Sequence, residues 1–148
     1  MTEPARILAP VVALVAWTLV MMIWLYAVRF PAMNRKGLSL KGRVGSKGGD
    51  LDGVVEPQAQ WKAHNYNHLM EQPTLFYAIS IALALLGAGD IWINVWLAWG
   101  YVAFRIAHSL VQATTNVVFW RFLLFIAASL CLLGLTVHAG ARILHDLF

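Results

Sequence analysis

Apolar residues in this chain form four long runs instead of alternating with polar residues. The runs cover about residues 7–28, 64–87, 91–114 and 122–143. A helix of roughly 20 mostly apolar residues crosses the hydrocarbon core of a bilayer, which is about 30 Å thick. The pattern therefore predicts four membrane-spanning helices in a single domain, 1–148. Because the tight turn Gly87–Asp90 joins the second and third runs, these helices are expected to be antiparallel. The predicted fold is an all-α, integral membrane four-helix bundle with up-down topology.

The composition excludes a water-soluble globular domain. Of the 148 residues, 60% are hydrophobic and only 12% are charged, whereas an average soluble domain has about 25% charged residues. Cys131 is the one cysteine, so the chain has no intramolecular disulfide and no cluster of thiolates for a structural metal.

Positive charge is concentrated in the segment 29–62, which connects the first two runs. It holds seven of the eleven Lys and Arg residues: Arg29, Arg35, Lys36, Lys41, Arg43, Lys47 and Lys62. Short basic loops stay on the cytoplasmic side of a membrane. We therefore predict a cytoplasmic basic loop, with both chain termini on the non-cytoplasmic side. The net charge of +4 is explained by this orientation, and no nucleic-acid partner is predicted.

Polar side chains inside the second and third runs are the candidates for function. They share one face of each helix, at i, i+4, i+7 and at i, i+3, i+7: His64, His68 and Glu71, then Arg105, His108 and Gln112. An ionised side chain at the bilayer centre costs at least about 2.5 kcal/mol. We therefore expect Glu71 and Arg105, which lie at similar depth on antiparallel helices, to form a direct or water-bridged ion pair.

Two interpretations of this polar cluster remain open. A structural network would join the second and third helices through their polar side chains. A ligand site is favoured by the size of the set, which also includes Asn67, Asn116 and Arg121, because so many donors and cations suit an anionic ligand with several polar groups.

A metal site is the third alternative. His64 and His68 at i, i+4 could share a metal ion, with Glu71 or His108 as a further ligand. The neighbouring Arg105 opposes a bound cation, and no second pair of histidines repeats the spacing. We therefore predict no metal.

Two motifs resemble the MAPEG family, the membrane-associated proteins in eicosanoid and glutathione metabolism. The first is KAHNYNHLMEQPTLF, from Lys62 to Phe76, and the second is YVAFRIAHS, from Tyr101 to Ser109, followed by a short turn to Arg121. The chain is most similar to the bacterial branch, and the resemblance extends over nearly the whole length, including the four runs and the basic loop.

The resemblance implies a homotrimer in the bacterial inner membrane, with glutathione bound between neighbouring subunits at the cytoplasmic helix ends. The implied activity is a glutathione-dependent transferase or peroxidase that acts on a lipophilic electrophile. The alternative is a non-catalytic trimeric membrane scaffold, a binding module or an accessory subunit of a larger complex.

The family's site residues map onto positions of this chain. The family's thiolate-stabilising arginine has its nearest counterpart in Arg121, which comes a couple of positions late and is the predicted catalytic residue. The predicted ligand-binding residues are Lys62, His64, Asn67, His68, Glu71, Arg105, His108 and Gln112. The sequence departs from the family pattern where Lys62 or His64 replaces an arginine, where Pro73 comes one residue early, and where His108 and Gln112 replace tyrosines.

Overall fold

The computed structural model describes residues 4–39, 41–42, 44–45 and 47–147, so Arg43 of the predicted basic loop lies outside the described residues. The helices are α1 (Leu8–Arg35), α2 (Pro57–Leu69), α3 (Gln72–Leu85), α4 (Trp92–Thr114) and α5 (Val118–Leu147), with a 3-10 turn at Gly48–Leu51. The described part of the chain contains no β-strand. The all-α prediction is confirmed.

The two outer helices are long and apolar enough to cross a membrane. These segments are Leu8–Arg35 and Val118–His145, each of 28 residues. Both carry large apolar side chains on the outside of the fold, such as Val12, Ile23 and Leu130. An extended apolar surface of this kind suits contact with lipid. Both helices are longer than predicted: α1 continues past residue 28 and α5 begins before residue 122.

The second predicted span is interrupted, so the prediction of one continuous helix over 64–87 is wrong. Helix α2 ends at Leu69 and α3 begins at Gln72, while Glu71 between them has non-helical dihedrals (φ −91°, ψ −98°). Pro73 explains the interruption, because proline has no N–H to donate and its ring clashes with the carbonyl group four residues earlier. Glu71 consequently lies at a helix break and no longer on a common helix face with His64.

Helix α4 lies at the centre of the bundle, where it contacts α1, α2 and α5, while α3 packs against α1 and α5. Small residues allow α4 and α5 to approach closely. A Cβ atom on Gly134 would lie 3.0 Å from a methyl group of Leu97, and one on Gly100 would lie 3.3 Å from the Cys131 sulfur. With α2 and α3 counted as the halves of one span, the four-helix membrane bundle is confirmed.

The segment between α1 and α2 is attached to both helices by polar contacts. The Arg29 guanidinium donates to the Gly48 carbonyl (2.6 Å), and the Gln60 amide donates to Asp52 Oδ1 (2.5 Å). The His64 ring nitrogen Nε2 lies 3.0 Å from the same carboxylate oxygen. The hydrogen bond from Gln60, the contact with His64 and the charge of Arg29 together hold the pKa of Asp52 below its ordinary value, against desolvation.

We predict that this attachment depends on the ionised Asp52 carboxylate. Because the folded-state pKa is lowered, the stabilisation is present above the ordinary carboxyl range, at about pH 3.9 and higher, and is lost as the pH falls through the lowered value. Hydrogen exchange of the Gly48–Leu51 amides, corrected for intrinsic rates, should therefore lose protection only below that range. At neutral pH, Asp52→Ala should raise the rate of tryptic cleavage after Lys47.

Asp90→Ala is the matched control, because it removes a carboxylate at the opposite end of the bundle and should leave cleavage after Lys47 unchanged. An Asp52→Ala variant that is cleaved at the wild-type rate would show that other contacts hold the segment.

Candidate functional site

The break between α2 and α3 is joined to α4 by Arg105. This side chain is fully buried. Its Nη2 donates to the main-chain carbonyl of His68 (2.8 Å), and its Nη1 lies 3.4 Å from His68 Nε2. A cation near the C-terminus of a helix stabilises carbonyl groups that have no partner within the helix. Arg105 therefore caps the C-terminal end of α2.

Glu71 reaches this arginine through the His68 ring and not directly. His68 Nδ1 lies 2.7 Å from Glu71 Oε2. Of the two forms of ion pair predicted for Glu71 and Arg105, direct or water-bridged, the direct one is not formed, because Glu71 pairs with His68, whose ring lies between the two charges. A guanidinium only donates hydrogen bonds and an ionised carboxylate only accepts them. These two contacts together require a neutral His68 ring that carries its proton on Nδ1 and accepts a hydrogen bond at Nε2.

A pocket of about 270 Å³ opens beside this chain of contacts. The end of α2, the second half of α4 and the first turns of α5 form its walls, and its lining residues are His68, His108, Val118, Arg121, Phe122 and Phe125. The ring centroids of His68 and His108 are 5.0 Å apart, and Phe125 lies 5.7 Å from His68. The pocket combines nitrogen-bearing side chains with apolar walls, an arrangement that suits a ligand with a polar and an apolar part.

Arg121 is held in this pocket by the turn that joins α4 and α5. Its Nη1 donates to Asn116 Oδ1 (2.7 Å). Asn116 has φ +54°, a left-handed conformation that asparagine adopts more readily than most residues. The buried Nε of Arg121 has no hydrogen-bond partner among the described residues. This Nε is closed to the pocket, so the donor capacity for a bound anion lies on the terminal guanidinium nitrogens, of which only Nη1 has a partner among the described residues.

His108 is the other pocket residue with unused hydrogen-bonding capacity. The ring is buried, and within the described residues it makes no hydrogen bond, although it contacts the rings of His68 and Phe125. A neutral imidazole here can donate from one nitrogen and accept at the other.

The structure brings His68, His108 and Arg121 together and connects Arg105 and Glu71 to them through His68. The other predicted residues lie elsewhere within one chain. Lys62 stacks over Trp24, with Nζ 5.5 Å from the ring centroid, and His64 contacts Asp52. Asn67 is exposed, and Gln112 is buried on α4 with its Oε1 unpartnered among the described residues.

A polar contact between three helices was not predicted from the sequence. Ser109 Oγ accepts hydrogen bonds from the Asn65 side-chain amide (2.8 Å) and from the Trp17 indole (3.0 Å). Asn65 and Ser109 are fully buried. Ser109 follows Arg105 by four residues, and this helical spacing was the available signal. The buried asparagine of the first motif is thus Asn65, whereas Asn67 faces outward.

Three more polar residues near the site were missed. The Gln72 side-chain amide donates to Ser129 Oγ (2.8 Å) on α5, and the Tyr101 hydroxyl lies 3.5 Å from Gln72 Oε1. These contacts fix the start of α3 against α4 and α5. Among the residues that the structure describes, no three His, Cys, Asp or Glu side chains form a group able to hold a metal ion.

Replacing Arg105 with Leu should destabilise the protein strongly. The substitution removes the donor to His68 Nε2 and leaves the His68 carbonyl with only the longer hydrogen bond from the Glu71 N–H (3.4 Å). A hydrogen bond to a charged group contributes about 1.5–3 kcal/mol. Thermal unfolding of the detergent-solubilised protein should show a Tm lowered by several degrees. Arg105→Lys should recover only part of the loss, since lysine lacks the planar guanidinium that serves two acceptors at once.

Arg142→Leu supplies the control, because Arg142 is an exposed arginine near the C-terminal end of α5. Its Tm should stay close to that of the wild type. An equal Tm for Arg105→Leu and Arg142→Leu would mean that Arg105 does not hold the helix break.

Comparison with known protein families identifies the family of this chain. A sequence profile of the MAPEG family matches residues 7–141, which include all five helices in whole or large part and every residue of the pocket. Comparisons with curated proteins and with solved structures give no significant match. Two helices of the fold have the length and apolar composition of membrane spans. The chain therefore belongs to the MAPEG family and is an integral membrane protein.

Proposed function

We propose that this protein binds glutathione in the pocket of His68, His108 and Arg121 and directs its thiolate at a lipophilic electrophile. As a transferase it would join the glutathionyl group to the substrate, and as a peroxidase it would reduce a hydroperoxide to an alcohol and water while two glutathione molecules are oxidised to the disulfide. The observation that carries the proposal is the position of Arg121, a guanidinium that lines a pocket with apolar walls and has a hydrogen-bond partner among the described residues only at Nη1. Family membership supports glutathione as the thiol.

Arg121 is proposed to stabilise the reactive form of the thiol. An unperturbed cysteine thiol has a pKa of about 8.5, so it is mostly protonated at neutral pH. A positive charge beside the sulfur lowers that pKa and raises the fraction of nucleophilic thiolate. The thiolate then forms a bond to an electrophilic carbon of the substrate, and the displaced group leaves with the electron pair.

The electrophile is proposed to enter from the bilayer. Val118 and Phe122 line the pocket and are also exposed on the apolar outer surface of α5. A lipophilic molecule dissolved in the membrane could therefore reach the pocket without crossing water.

The charged groups of glutathione need partners beyond the pocket. Glu71 is two-thirds exposed (66%) and suits the ligand's ammonium group, and Lys62 suits a carboxylate. Arg105 is fully buried against His68, so we propose that it positions His68 and does not contact the ligand. Exposed polar groups such as Asn67 and Glu71 are costly against lipid. A neighbouring subunit of a homotrimer would cover them and complete the site.

The second candidate function is a non-catalytic membrane scaffold or binding module. The contact between Arg105 and His68 favours it, because both terminal nitrogens of the guanidinium reach acceptors on His68 without a ligand, and only Nε stays unpartnered among the described residues. The basic loop on the cytoplasmic side of a bacterial inner membrane is the orientation proposed for both functions.

The two functions make different predictions for added glutathione. A ligand that binds only the native state raises the Tm as its concentration increases. We expect millimolar glutathione to stabilise the solubilised protein and a thiolate absorbance to appear near neutral pH. Arg121→Ala should raise the pKa of the bound thiol by about one unit, which is about 1.4 kcal/mol of lost thiolate stabilisation.

S-methylglutathione is the matched ligand control, since it has no ionisable thiol and should stabilise the wild type and Arg121→Ala to a similar extent. Arg142→Ala is the matched protein control and should keep the wild-type thiol pKa. A wild-type protein with neither thiolate absorbance nor a Tm increase would exclude the enzyme and leave the scaffold.

A further inference from the structure

A second pocket lies at the opposite end of the bundle, beside an exposed row of tryptophans. Trp92, Trp96 and Trp99 follow at i, i+4 and i+7 on α4, and each is exposed (70%, 69% and 42%). The pocket has a volume of about 310 Å³, and Arg6, Asp90 and Val95 complete its lining. It therefore combines an aromatic wall with one cation and one anion.

The main chain fixes the Asp90 carboxylate in this pocket. The Arg6 backbone N–H donates to Asp90 Oδ1 (2.8 Å), and the Ile7 N–H donates to the Gly89 carbonyl (3.1 Å). A Cβ atom on Gly89 would lie 2.8 Å from the Ala5 side chain, so the turn packs tightly against the start of α1. Asp90 is thus held in place without help from the arginine side chain.

The Arg6 guanidinium is only loosely engaged. Its Nε lies 4.0 Å from Asp90 Oδ1, and the side chain is 81% exposed. Both contacts to Asp90 use Oδ1, and Oδ2 has no hydrogen-bond or ion-pair partner among the described residues. The pocket therefore offers both a donor group and an acceptor group to a ligand.

The position of the pocket along the helices indicates the kind of ligand. The apolar runs of α1 and α4 begin directly after Arg6 and Asp90, so the pocket lies where a bilayer changes from hydrocarbon to headgroups. Tryptophan is enriched at this depth. A ligand that carries a phosphate and an ammonium group matches the two charges, and its acyl chains can follow the apolar surface at Val95.

We propose that this pocket binds the headgroup of phosphatidylethanolamine, with the phosphate on Arg6 and the ammonium on Asp90. The ethanolamine ammonium has N–H donors for the free carboxylate oxygen, whereas the choline ammonium has none. A tryptophan face beside the ammonium adds a cation–π attraction. An interfacial tryptophan belt alone requires no carboxylate and does not select between headgroups.

Native mass spectrometry of the full chain in mild detergent tests this assignment. Phosphatidylethanolamine, phosphatidylcholine and phosphatidylglycerol with identical acyl chains are added in equal amounts. Wild type should retain phosphatidylethanolamine about five-fold more than phosphatidylglycerol, the scale of one ion pair at a partly exposed site. Asp90→Asn keeps an oxygen for the Arg6 N–H and should remove this preference. Arg6→Gln should weaken the binding of all three lipids.

Arg142→Gln is the control, because it removes an arginine at the same end of the bundle that does not line this pocket. It should keep the wild-type preference. Equal retention of the three lipids by wild type would overturn the proposal, as would stronger retention of phosphatidylcholine or an unchanged preference in Asp90→Asn. Each of these results would leave the tryptophans as a non-selective anchor.

Discussion

The contact between Arg105 and the end of α2 is the constraint on which the rest of the structure depends. A guanidinium that is fully buried in a membrane bundle needs acceptors. A helix that stops at Leu69 leaves carbonyl groups without partners inside the helix. Arg105 meets both requirements through its terminal nitrogens, which reach the His68 carbonyl and ring, while its Nε has no partner among the described residues. The break imposed by Pro73 on one span is thereby stabilised by a charge on another.

This contact also determines the geometry of the pocket. Arg105 on one side and Glu71 on the other hold the His68 ring, which places it against His108 and Phe125. Arg121 reaches the same pocket from α5 because Asn116 in the preceding turn holds it. The pocket thus depends on two sets of polar contacts between otherwise apolar helices. One set lies at the break between α2 and α3, and the other lies in the turn between α4 and α5.

The runs of apolar residues predicted the bounds of some helices better than those of others. The third run, 91–114, matches α4 closely, because both of its ends have polar or turn residues. The second run was predicted as one helix, although Pro73 was visible in the sequence. Hydrophobicity remains continuous through such a break, and only the missing hydrogen bond and the ring clash of proline interrupt the helix.

The sequence grouped His68, His108 and Arg121, which the structure brings together around one pocket, but it did not show the contacts between the polar residues. Opposite charge and similar depth placed Glu71 near Arg105, but the sequence could not show that His68 lies between them, because that depends on the backbone direction at the break. Lys62 and His64 were expected at the ligand site and instead contact Trp24 and Asp52 within the chain. Asn65 was not predicted as a site residue, because the sequence does not show which of the two asparagines, Asn65 or Asn67, faces the bundle.

Measuring which nitrogen of the His68 ring carries the proton tests the central contact most directly. Nitrogen-15 NMR of histidine-labelled protein, assigned by comparison with His68→Gln, separates the two neutral forms of the ring from the charged form. Because His68 donates to Glu71 and accepts from Arg105, the account predicts a neutral ring with its proton on Nδ1 at pH 7. A proton on Nε2, or a doubly protonated ring, would place an N–H opposite the guanidinium and contradict the account.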